Sequence, residues 1–531
     1  MKIHSLLFYL SLTFVLSEDI VISIDKINPG SGYIVNDNII TINNPDTYYI
    51  GIQSFNKSII VNVSCTIFFT FSTLMNNNST LTPLIIEENK EVTIFLRDKT
   101  TIIDSVLNKN NAIIYLKRGV KLKIENYNSG GGLILLQNSL YAIRGEESSI
   151  LQTNCYLKII STSNNSGGIF IPKTIFFEHN TKFYYKSISG NKPAIECEGQ
   201  IWFGKGQFDI ISLRGKGIVT KNILSVGEYE KDYCPKIKII SLSEGIEATG
   251  LDIFCGNINI ESKGNGITIK NDNNEDVNCF TNLTSYIRLY DGIININSYN
   301  IGIYSGGDIF ILNGILSVTI NSYEQRDFIN YEGVLKIEGG ILLIYSNNSD
   351  NYSDMNLTQK SQKYIQHIES NSILSLYNNG KEMINIKLKK DIEYIYLNYP
   401  DDDNKYIVKI NGIDITPTVR ILITTNIDEI LSRDTKINYN SSDNIIEKNK
   451  DEKLFENSSI SNIDSDNIKA IKSDDLNQEE KKNLKQTSDI IEKEAHLDND
   501  ATNSNNKADE RNKSQFIRIS NILLLFYFIQ L

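Results

Sequence analysis

The chain has 531 residues, a net charge of −11 and a composition that is 40% hydrophobic. This length is sufficient for a large buried core. The acidic balance argues against nucleic acid as a partner, because phosphate binding requires a basic surface.

The first 17 residues have the pattern of a secretory signal peptide. Lys2 gives a positive start, residues 6–16 form a short apolar core, and Val15 and Ser17 place small residues before the expected cleavage point. The apolar core is too short to cross a bilayer as a helix. The pattern therefore predicts a secreted protein, and an apolar first strand is the alternative.

Residues 18–425 have the pattern of a β-rich domain. Short runs of Ile, Val, Tyr and Phe alternate with turns of Gly, Asn, Ser and Asp, and no helical period persists. Within this domain a small residue followed by isoleucine recurs after polar turns. Eight isoleucines share this position: Ile113, Ile143, Ile169, Ile195, Ile218, Ile246, Ile267 and Ile303.

The intervals between these isoleucines average about 27 residues, which is the length of a solenoid repeat. One coil cannot bury its own apolar side chains, whereas stacked coils about 4.8 Å apart share a continuous core. The repeat therefore predicts an all-β, right-handed parallel β-helix with the isoleucines as an internal ladder. A β-sandwich is the alternative.

The residue after each ladder isoleucine should point outward, because side chains alternate along a strand. These residues are Ile114, Arg144, Phe170, Glu196, Val219, Glu247, Thr268 and Tyr304. Phe170 and Tyr304 offer ring faces to sugars, with Glu196 between them. Glu196 and Glu247 should lie two coils, or roughly 9.6 Å, apart. This resembles the acid pair of an inverting glycosidase, and ordinary surface decoration is the alternative.

An acidic loop occupies the longest repeat interval. Asp272, Glu275 and Asp276 lie in it, together with two asparagines. Oxygen ligands of this kind suit a hard cation such as Ca²⁺. A solvated insertion is the alternative.

Several segments of the domain resemble a family of carbohydrate-binding parallel β-helix proteins, known from cellulolytic bacteria as cellulose- and polygalacturonate-binding proteins. The fullest match is Ser-Glu-Gly-Ile-Glu-Ala-Thr-Gly-Leu-Asp-Ile at residues 243–253, followed by a strand at 256–260. Other segments follow in family order, and the resemblance covers roughly residues 35–415. They are residues 46–51, 91–96 and 100–104, and the closing strand pair 390–397 and 406–412.

The resemblance implies a noncatalytic carbohydrate-binding role in which Glu244 and Glu247 hold a calcium ion that bridges to acidic sugar. The family often has Asp before Gly-Ile in its turns, and here the chain departs from it. That position holds Lys216, Glu244 and Asn265 in successive repeats, and Ile301 later. Several oxygen ligands for calcium are thus missing.

Six cysteines form an even set: Cys65, Cys155, Cys197, Cys234, Cys255 and Cys279. In an exported protein they allow up to three disulfides, whose pairing the sequence does not resolve. Twelve Asn-x-Ser/Thr sequons are consistent with a glycoprotein.

The C-terminal part changes character twice. Residues 426–515 are rich in Asn, Asp, Glu, Lys and Ser, which predicts a disordered polar stalk. Residues 516–531 form a hydrophobic tail. This order is typical of a lipid-anchor (GPI) signal, and a retained membrane span is the alternative, although the tail is short for one. We expect attachment to the membrane through this end.

Together these patterns predict a secreted, cell-surface polysaccharide-binding protein or adhesin, without catalytic activity, for cellulose or pectin-like polymers. No histidine lies in a metal or nucleophile motif, and no phosphate-binding loop is visible. Two alternatives stay open. One is a β-helix polysaccharide lyase or glycoside hydrolase, and the other is a structural surface-coat protein.

Overall fold

The structure is a computed structural model that describes residues 20–23 and 32–421, with gaps. The gaps are 37, 52, 56, 71, 77, 105–107, 109, 129, 231, 233, 272–284, 322–326, 348–358 and 401–404. The described residues belong to one compact unit, Met1–Ile437. The predicted signal peptide (1–17), stalk (426–515) and tail (516–531) lie outside the described residues. Within the described ranges, no helix has the length and hydropathy needed to cross a membrane.

The described residues form β-strands and no helix. In chain order the strands are β1 (Ile20–Ser23), β2 (Tyr33–Asn36), β3 (Ile39–Ile42), β4 (Thr47–Gly51), β5 (Gln53–Phe55), β6 (Ser58–Val61), β7 (Cys65–Phe69), β8 (Thr73–Asn76), β9 (Leu84–Ile86), β10 (Glu91–Leu96), β11 (Lys99–Asp104), β12 (Ala112–Leu116), β13 (Lys121–Asn126), β14 (Gly132–Gln137), β15 (Tyr141–Gly145), β16 (Ile150–Asn154), β17 (Tyr156–Ser161), β18 (Ile169–Ile171), β19 (Thr174–Phe177), β20 (Thr181–Ser187), β21 (Ile195–Cys197), β22 (Gln200–Phe203), β23 (Gly206–Ser212), β24 (Ile218–Thr220), β25 (Ile223–Val226), β26 (Lys236–Ser241), β27 (Ile246–Ala248), β28 (Gly250–Ile253), β29 (Asn257–Ser262), β30 (Ile267–Ile269), β31 (Tyr286–Leu289), β32 (Ile293–Ser298), β33 (Ile303–Ser305), β34 (Asp308–Ile311), β35 (Ile315–Ile320), β36 (Ile329–Tyr331), β37 (Leu335–Ile337), β38 (Ile341–Ser346), β39 (Lys360–Ile368), β40 (Ile373–Asn378), β41 (Lys381–Lys387), β42 (Ile392–Tyr399), β43 (Tyr406–Ile410), β44 (Ile413–Asp414) and β45 (Val419–Ile421).

Three long sheets run along the molecule, and every third strand belongs to the same sheet. Sheet 1 contains every third strand from β1 to β37, in the order β1, β4, β7 and so on. Sheet 2 begins with the β2–β3 hairpin and continues by threes to β36. Sheet 3 runs from β5 by threes to β38 and then adds β42, β39 and β45, which are antiparallel. The other pairs in these sheets are parallel, which confirms the predicted all-β parallel solenoid.

The isoleucine ladder is the inner column of sheet 2. Ile143, Ile169, Ile195, Ile218, Ile246, Ile267 and Ile303 stand in register in consecutive coils, and all are fully buried. The prediction was wrong at one position, because Ile114 rather than Ile113 pairs with Ile143. All five residues of β12 are buried, so the alternation that would have fixed its register is hidden. The ladder also extends beyond Ile303 to Ile329.

Close contact between coils explains the small residue before the ladder isoleucines from Ile143 to Ile303. A Cβ at Gly217 would lie 2.4 Å from the carbonyl oxygen of Gly245, and one at Gly245 would lie 2.6 Å from that of Gly266. Most other side chains at this corner would therefore push neighbouring backbones apart. Alanine occupies the corresponding position at Ala142 and Ala194, where both residues are fully buried.

The C-terminal strands cover one end of sheet 3. The last two parallel strands of sheet 3, β35 and β38, are buried along their whole length. Leu342 and Ile344 of β38 join the solenoid core, whereas Leu343 and Tyr345 pack into a second core with residues such as Leu374. A four-stranded antiparallel sheet 4, with the order β41-β40-β43-β44, contributes to this second core.

The closing segments implied by the family resemblance are strands, but they do not pair with each other. Residues 392–399 form β42 of sheet 3, and residues 406–410 form β43 of sheet 4.

One disulfide links the coils among the described residues. Cys234 and Cys255 are bonded, with their Cα atoms 5.3 Å apart. Cys65, Cys155 and Cys197 carry free thiols. Cys279 lies outside the described residues, so the described part of the chain contains one of the three disulfides that the cysteine count allows.

Candidate functional site

The outer column of sheet 2 contains most of the residues predicted to face outward. Arg144, Phe170, Glu196, Val219, Glu247, Thr268 and Tyr304 stand in register in successive coils. Ile114 is not among them, since it belongs to the inner ladder, and Tyr115 takes its place beside Arg144. Phe170 and Tyr304 are five coils apart, or roughly 24 Å at the usual strand spacing. They thus lie at opposite ends of one row.

Glu196 is held in place by a tyrosine that the sequence analysis did not identify. The Tyr141 hydroxyl donates a hydrogen bond to Glu196 Oε2 at 2.8 Å. The Tyr141 ring also packs on Phe170, with ring centroids 5.4 Å apart. Burial, and then the neighbouring Glu196 carboxylate, raises the pKa of Tyr141 well above its ordinary value. The tyrosine therefore stays a hydrogen-bond donor and joins an aromatic patch to an acid.

Glu247 is paired with two lysines. Lys216 Nζ lies 2.6 Å from its Oε2, and Lys270 Nζ lies 2.8 Å from its Oε1. Lys216 also lies 3.6 Å from Oε2 of Glu244. Burial alone would lower the pKa of Lys216, but hydrogen bonding and charge from Glu247 and Glu244 outweigh it and raise that pKa. Lys216 thus links the two acids.

Glu244 has a second partner in its own turn. The Ser243 hydroxyl donates a hydrogen bond of 2.5 Å to Glu244 Oε2. Burial would raise the pKa of Glu244, but Ser243, a backbone amide and Lys216 together lower it. Its carboxylate is therefore stabilised by its neighbours.

Glu196, Glu247 and the two lysines that pair with Glu247 line an open groove of about 460 Å³ on the outer face of sheet 2. Glu196, Val219 and Glu247 form its floor in three successive coils. The other lining residues are Asn191, Pro193, Lys216, Thr220, Lys221, Ala248, Thr249 and Lys270. Carboxylates, ammonium groups and hydroxyls thus alternate along one surface. This arrangement can donate and accept hydrogen bonds over three coils.

Tyr304 lies beyond this groove. Its hydroxyl donates a hydrogen bond of 2.7 Å to Glu332 Oε1 in the next coil. Tyr304 stands in the same outer column as Phe170, and neither residue lines the groove. Of the residues predicted to bind carbohydrate, Glu196 lines the groove and Phe170 stands in the neighbouring coil, while Tyr304 lies farther along.

The predicted calcium ligands are divided between two places. Glu244 and Glu247 are close together, but their carboxylates pair with Lys216. Asp272 and Asp276 lie outside the described residues. Among the residues the structure describes, no three His, Cys, Asp or Glu side chains come together as a metal site would require. Calcium binding stays a prediction.

The sequence did not identify Lys216 and Lys270 as residues of the groove, where both pair with Glu247. Lys216 had been noted only as a departure from an acidic turn position. Its register next to Glu244 was already visible, because both residues directly precede a Gly-Ile pair. That spacing was the signal for a lysine–glutamate pair.

Comparison with known proteins supports a carbohydrate-binding relationship. Residues 178–373 match a family model described as carbohydrate-binding domain-containing protein. The predicted resemblance to carbohydrate-binding proteins is confirmed over this span. Among solved structures the chain is similar to the polysaccharide lyase-like protein from C. thermocellum, determined as a gadolinium derivative. Sequence identity is 18% and the TM-score is 0.23, over 61% of this chain and 97% of that chain. No curated protein matches the chain.

Proposed function

We propose that this protein is a noncatalytic polysaccharide-binding protein and that the groove on sheet 2 holds the glycan. One observation carries the proposal. The residues that line the groove lie between Asn191 and Lys270, inside the span 178–373 that matches a carbohydrate-binding family. This polar groove on sheet 2 therefore coincides with the part of the chain for which carbohydrate binding is supported.

The chemistry of the groove suits a polymer rich in hydroxyl groups. Ammonium groups of Lys216 and Lys270 donate to sugar oxygens, and the carboxylates of Glu196 and Glu247 accept from sugar hydroxyls. A carboxylate has about four acceptor positions, so Glu247 can bind a hydroxyl while it keeps its lysine partners. Hydrogen bonds to charged groups are the stronger ones. The ligand class is a wall polysaccharide, either neutral as in cellulose or acidic as in pectin.

The partners of the two acids favour binding over hydrolysis. An inverting hydrolase needs one carboxylic acid that gives a proton to the leaving group and a second that activates water. Glu247 instead accepts from two ammonium groups, and Glu196 accepts from Tyr141. The hydrolase or lyase alternative remains the competing hypothesis because Glu196 and Glu247 lie two coils apart.

Binding and product analysis together test the proposal. The purified chain is titrated with polygalacturonate and with cellohexaose, once with Ca²⁺ and once with a chelator. We expect binding to at least one glycan and no new reducing or unsaturated ends after long incubation. New ends that vanish in Glu196→Gln or Glu247→Gln would favour an enzyme. Absence of binding to every glycan would favour a structural surface-coat protein.

The location of the protein is the second part of the proposal, and it depends on sequence alone. A signal peptide at 1–17 and a tail at 516–531 would export the chain and hold it at the cell surface, where an adhesin acts. Deleting residues 516–531 should release the protein into the medium. Release of the intact protein by a phospholipase specific for lipid anchors would distinguish an anchor from a membrane span.

A further inference from the structure

A cluster of aromatic rings projects from the outer face of sheet 1. Phe254 and Tyr290 stack in neighbouring coils, with ring centroids 5.0 Å apart and an angle of 9° between their planes. Tyr229 packs against both, at 4.6 Å from Phe254 and 5.8 Å from Tyr290. The Tyr229 side chain is 73% exposed. Phe254 and Tyr290 are half-buried beneath it, and an apolar surface of this kind often marks a binding site.

An acid and an arginine lie beside these rings on the same face. Asp252 and Arg288 stand directly opposite each other in register, two residues before Phe254 and Tyr290 respectively. Residues two apart along a strand share a face. Asp252 is only 9% exposed, and the Tyr286 hydroxyl donates to its Oδ2 at 2.9 Å. Its Oδ1 accepts no hydrogen bond from the described residues and lies 3.9 Å from Arg288 Nη1.

The buried oxygen and the exposed rings point to the same kind of ligand. A buried carboxylate oxygen without a hydrogen bond is costly, and a ligand hydroxyl that reaches Oδ1 as the neighbouring side chains shift removes that cost. The Arg288 guanidinium, stacked over the Tyr286 ring at 4.0 Å, has donors that can reach a sugar oxygen. A pyranose ring supplies both hydroxyls and an apolar C–H face that packs on aromatic rings.

We propose that Tyr229, Phe254, Tyr290, Asp252 and Arg288 form a second carbohydrate-binding site, which takes a pyranose unit of a neutral polysaccharide. The site lies on sheet 1, on a different sheet from the groove. The proposal rests on the proposed function in that both assign a polysaccharide ligand to this chain. The site also falls within residues 178–373, the span of the carbohydrate-binding match.

The charge around the rings favours a neutral sugar over an acidic one. Asp252 faces Arg288, and the turn that carries Tyr229 also contains Glu228 and Glu230. Among the described charged residues of this surface, Arg288 is outnumbered by Asp252, Glu228 and Glu230, while His179 lies 3.7 Å from Glu228 and Lys231 lies outside the described residues. A uronate carboxylate would be repelled there, whereas a neutral hydroxyl-rich ring would not.

Trp202 extends the same surface along the solenoid. It stands two coils from Asp252 in the same outward column, with Ser225 between them. Phe176 precedes it, with ring centroids 6.4 Å apart. A polymer that runs along the solenoid axis would therefore reach a second pair of rings roughly 9.6 Å from Asp252.

The chain offers a matched control elsewhere on sheet 1. Tyr49, Phe68 and Phe95 also stack in successive coils, and Tyr127 packs its edge on two of these rings. Tyr127 is 57% exposed, which is comparable to Tyr229. The positions two residues before Phe68 and Phe95 are threonines. The acid and the arginine of this cluster are already engaged, since Glu125 pairs with Lys123 and Arg97 stacks over the Tyr127 ring. This cluster also lies outside residues 178–373.

Fluorescence titration of the full chain tests the site, because Trp202 is the chain's one tryptophan. We expect cellohexaose to change Trp202 emission in a saturable way. Tyr229→Ala should weaken that binding about tenfold, as loss of an aromatic anchor does. Asp252→Asn, which keeps an acceptor for Tyr286, should weaken it severalfold. Tyr127→Ala should leave it unchanged.

The outcomes separate this site from the groove. Binding that falls with Lys216→Met but not with Tyr229→Ala or Asp252→Asn would overturn the second site and leave the proposed function intact. A chain that binds no glycan would overturn both. If Tyr229→Ala turned a dimer into a monomer and left the cellohexaose titration unchanged, the rings would be a contact between two copies, and the inference would be wrong.

Discussion

Lys216 Nζ lies 2.6 Å from Oε2 of Glu247 in the neighbouring coil, at the floor of the sheet 2 groove. The pair is formed across coils and depends on the register of the solenoid. The same acid also pairs with Lys270 on its other oxygen. The groove therefore holds two ammonium groups around one carboxylate, and the balance between them decides which sugars it prefers.

Glu247→Gln should shift the preference of the groove towards acidic glycans. The variant removes the negative charge that engages Lys216 and Lys270, so both ammonium groups become free to bind uronate carboxylates. We expect a gain of about tenfold or more in affinity for polygalacturonate and a loss for cellohexaose, since one charged hydrogen bond contributes about 1.5–3 kcal/mol. Calorimetric titration of both glycans measures the change.

A calcium bridge predicts the opposite sign for the same variant. If Glu244 and Glu247 held Ca²⁺ against an acidic sugar, Glu247→Gln would weaken polygalacturonate binding and abolish its response to a chelator. Lys238→Met serves as a control, because Lys238 is exposed on sheet 3. It should change neither titration.

Ile218 and Val219 test the inward and outward columns of sheet 2 at adjacent positions. Ile218 is fully buried in the ladder, whereas Val219 faces the groove. Ile218→Ala should lower the free energy of unfolding by about 2–5 kcal/mol, because it leaves a cavity in a packed core. Val219→Ala should cost much less. Denaturant unfolding measures both, and equal losses would contradict the assigned register.

Lys390 should make stability depend on pH in the alkaline range. It lies partly buried at a crevice beside sheet 3 and donates a hydrogen bond to the Ile320 carbonyl. Burial lowers the pKa of Lys390 from 10.5 to about 8. Between these values the unfolded chain binds more protons than the folded one, so the free energy of unfolding should rise with pH.

Lys390→Met should accordingly be more stable than the wild type at pH 7, on the order of 2 kcal/mol. The gap should close as pH rises from about 8 to 10.5. The matched control is Lys389→Met, because Lys389 is exposed and pairs with Glu261. Its effect should be small and constant over that range. Denaturant unfolding at several pH values provides the comparison, and a pH-independent gap for Lys390→Met would contradict the lowered pKa.

The Cys234–Cys255 disulfide should stabilise the coils that it joins. The two residues are 21 positions apart. Closing a loop of that length contributes about 3 kcal/mol. The double variant Cys234→Ser/Cys255→Ser should lose about that much on denaturant unfolding. The wild type should lose a similar amount in reductant, and the variant should not respond to reductant.

The regular part of the fold could be predicted because burial imposes a repeat on the sequence. Seven of the eight proposed ladder isoleucines have the expected register, and the outward row from Arg144 to Tyr304 follows from it. The error at Ile113 arose where β12 is apolar on both faces, so alternation carried no information. The C-terminal strands were recognised as strands, but their partners depend on contacts between segments that are distant in sequence.

The candidate sites were predictable only in part. Glu196 and Glu247 follow from the ladder, and Lys216 could have been paired with Glu244 from the same spacing. Lys270 reaches Glu247, and Tyr141 reaches Glu196, through side-chain conformations that a repeat does not specify. The rings on sheet 1 were missed because Phe254 and Tyr290 are distant in sequence, and Tyr229 reaches them from the turn after β25 and not from their column.

Removing the two groove lysines that pair with Glu247 tests the central claim most directly. Lys216→Met/Lys270→Met is titrated calorimetrically with polygalacturonate and cellohexaose beside the wild type and Lys238→Met, and the incubated glycans are analysed for new chain ends. We predict that the wild type binds polygalacturonate and releases no new chain ends from either glycan. The double variant should bind polygalacturonate at least about tenfold more weakly. Unchanged binding in the double variant, or new chain ends from the wild type, would contradict the claim that this groove binds polysaccharide without cleaving it.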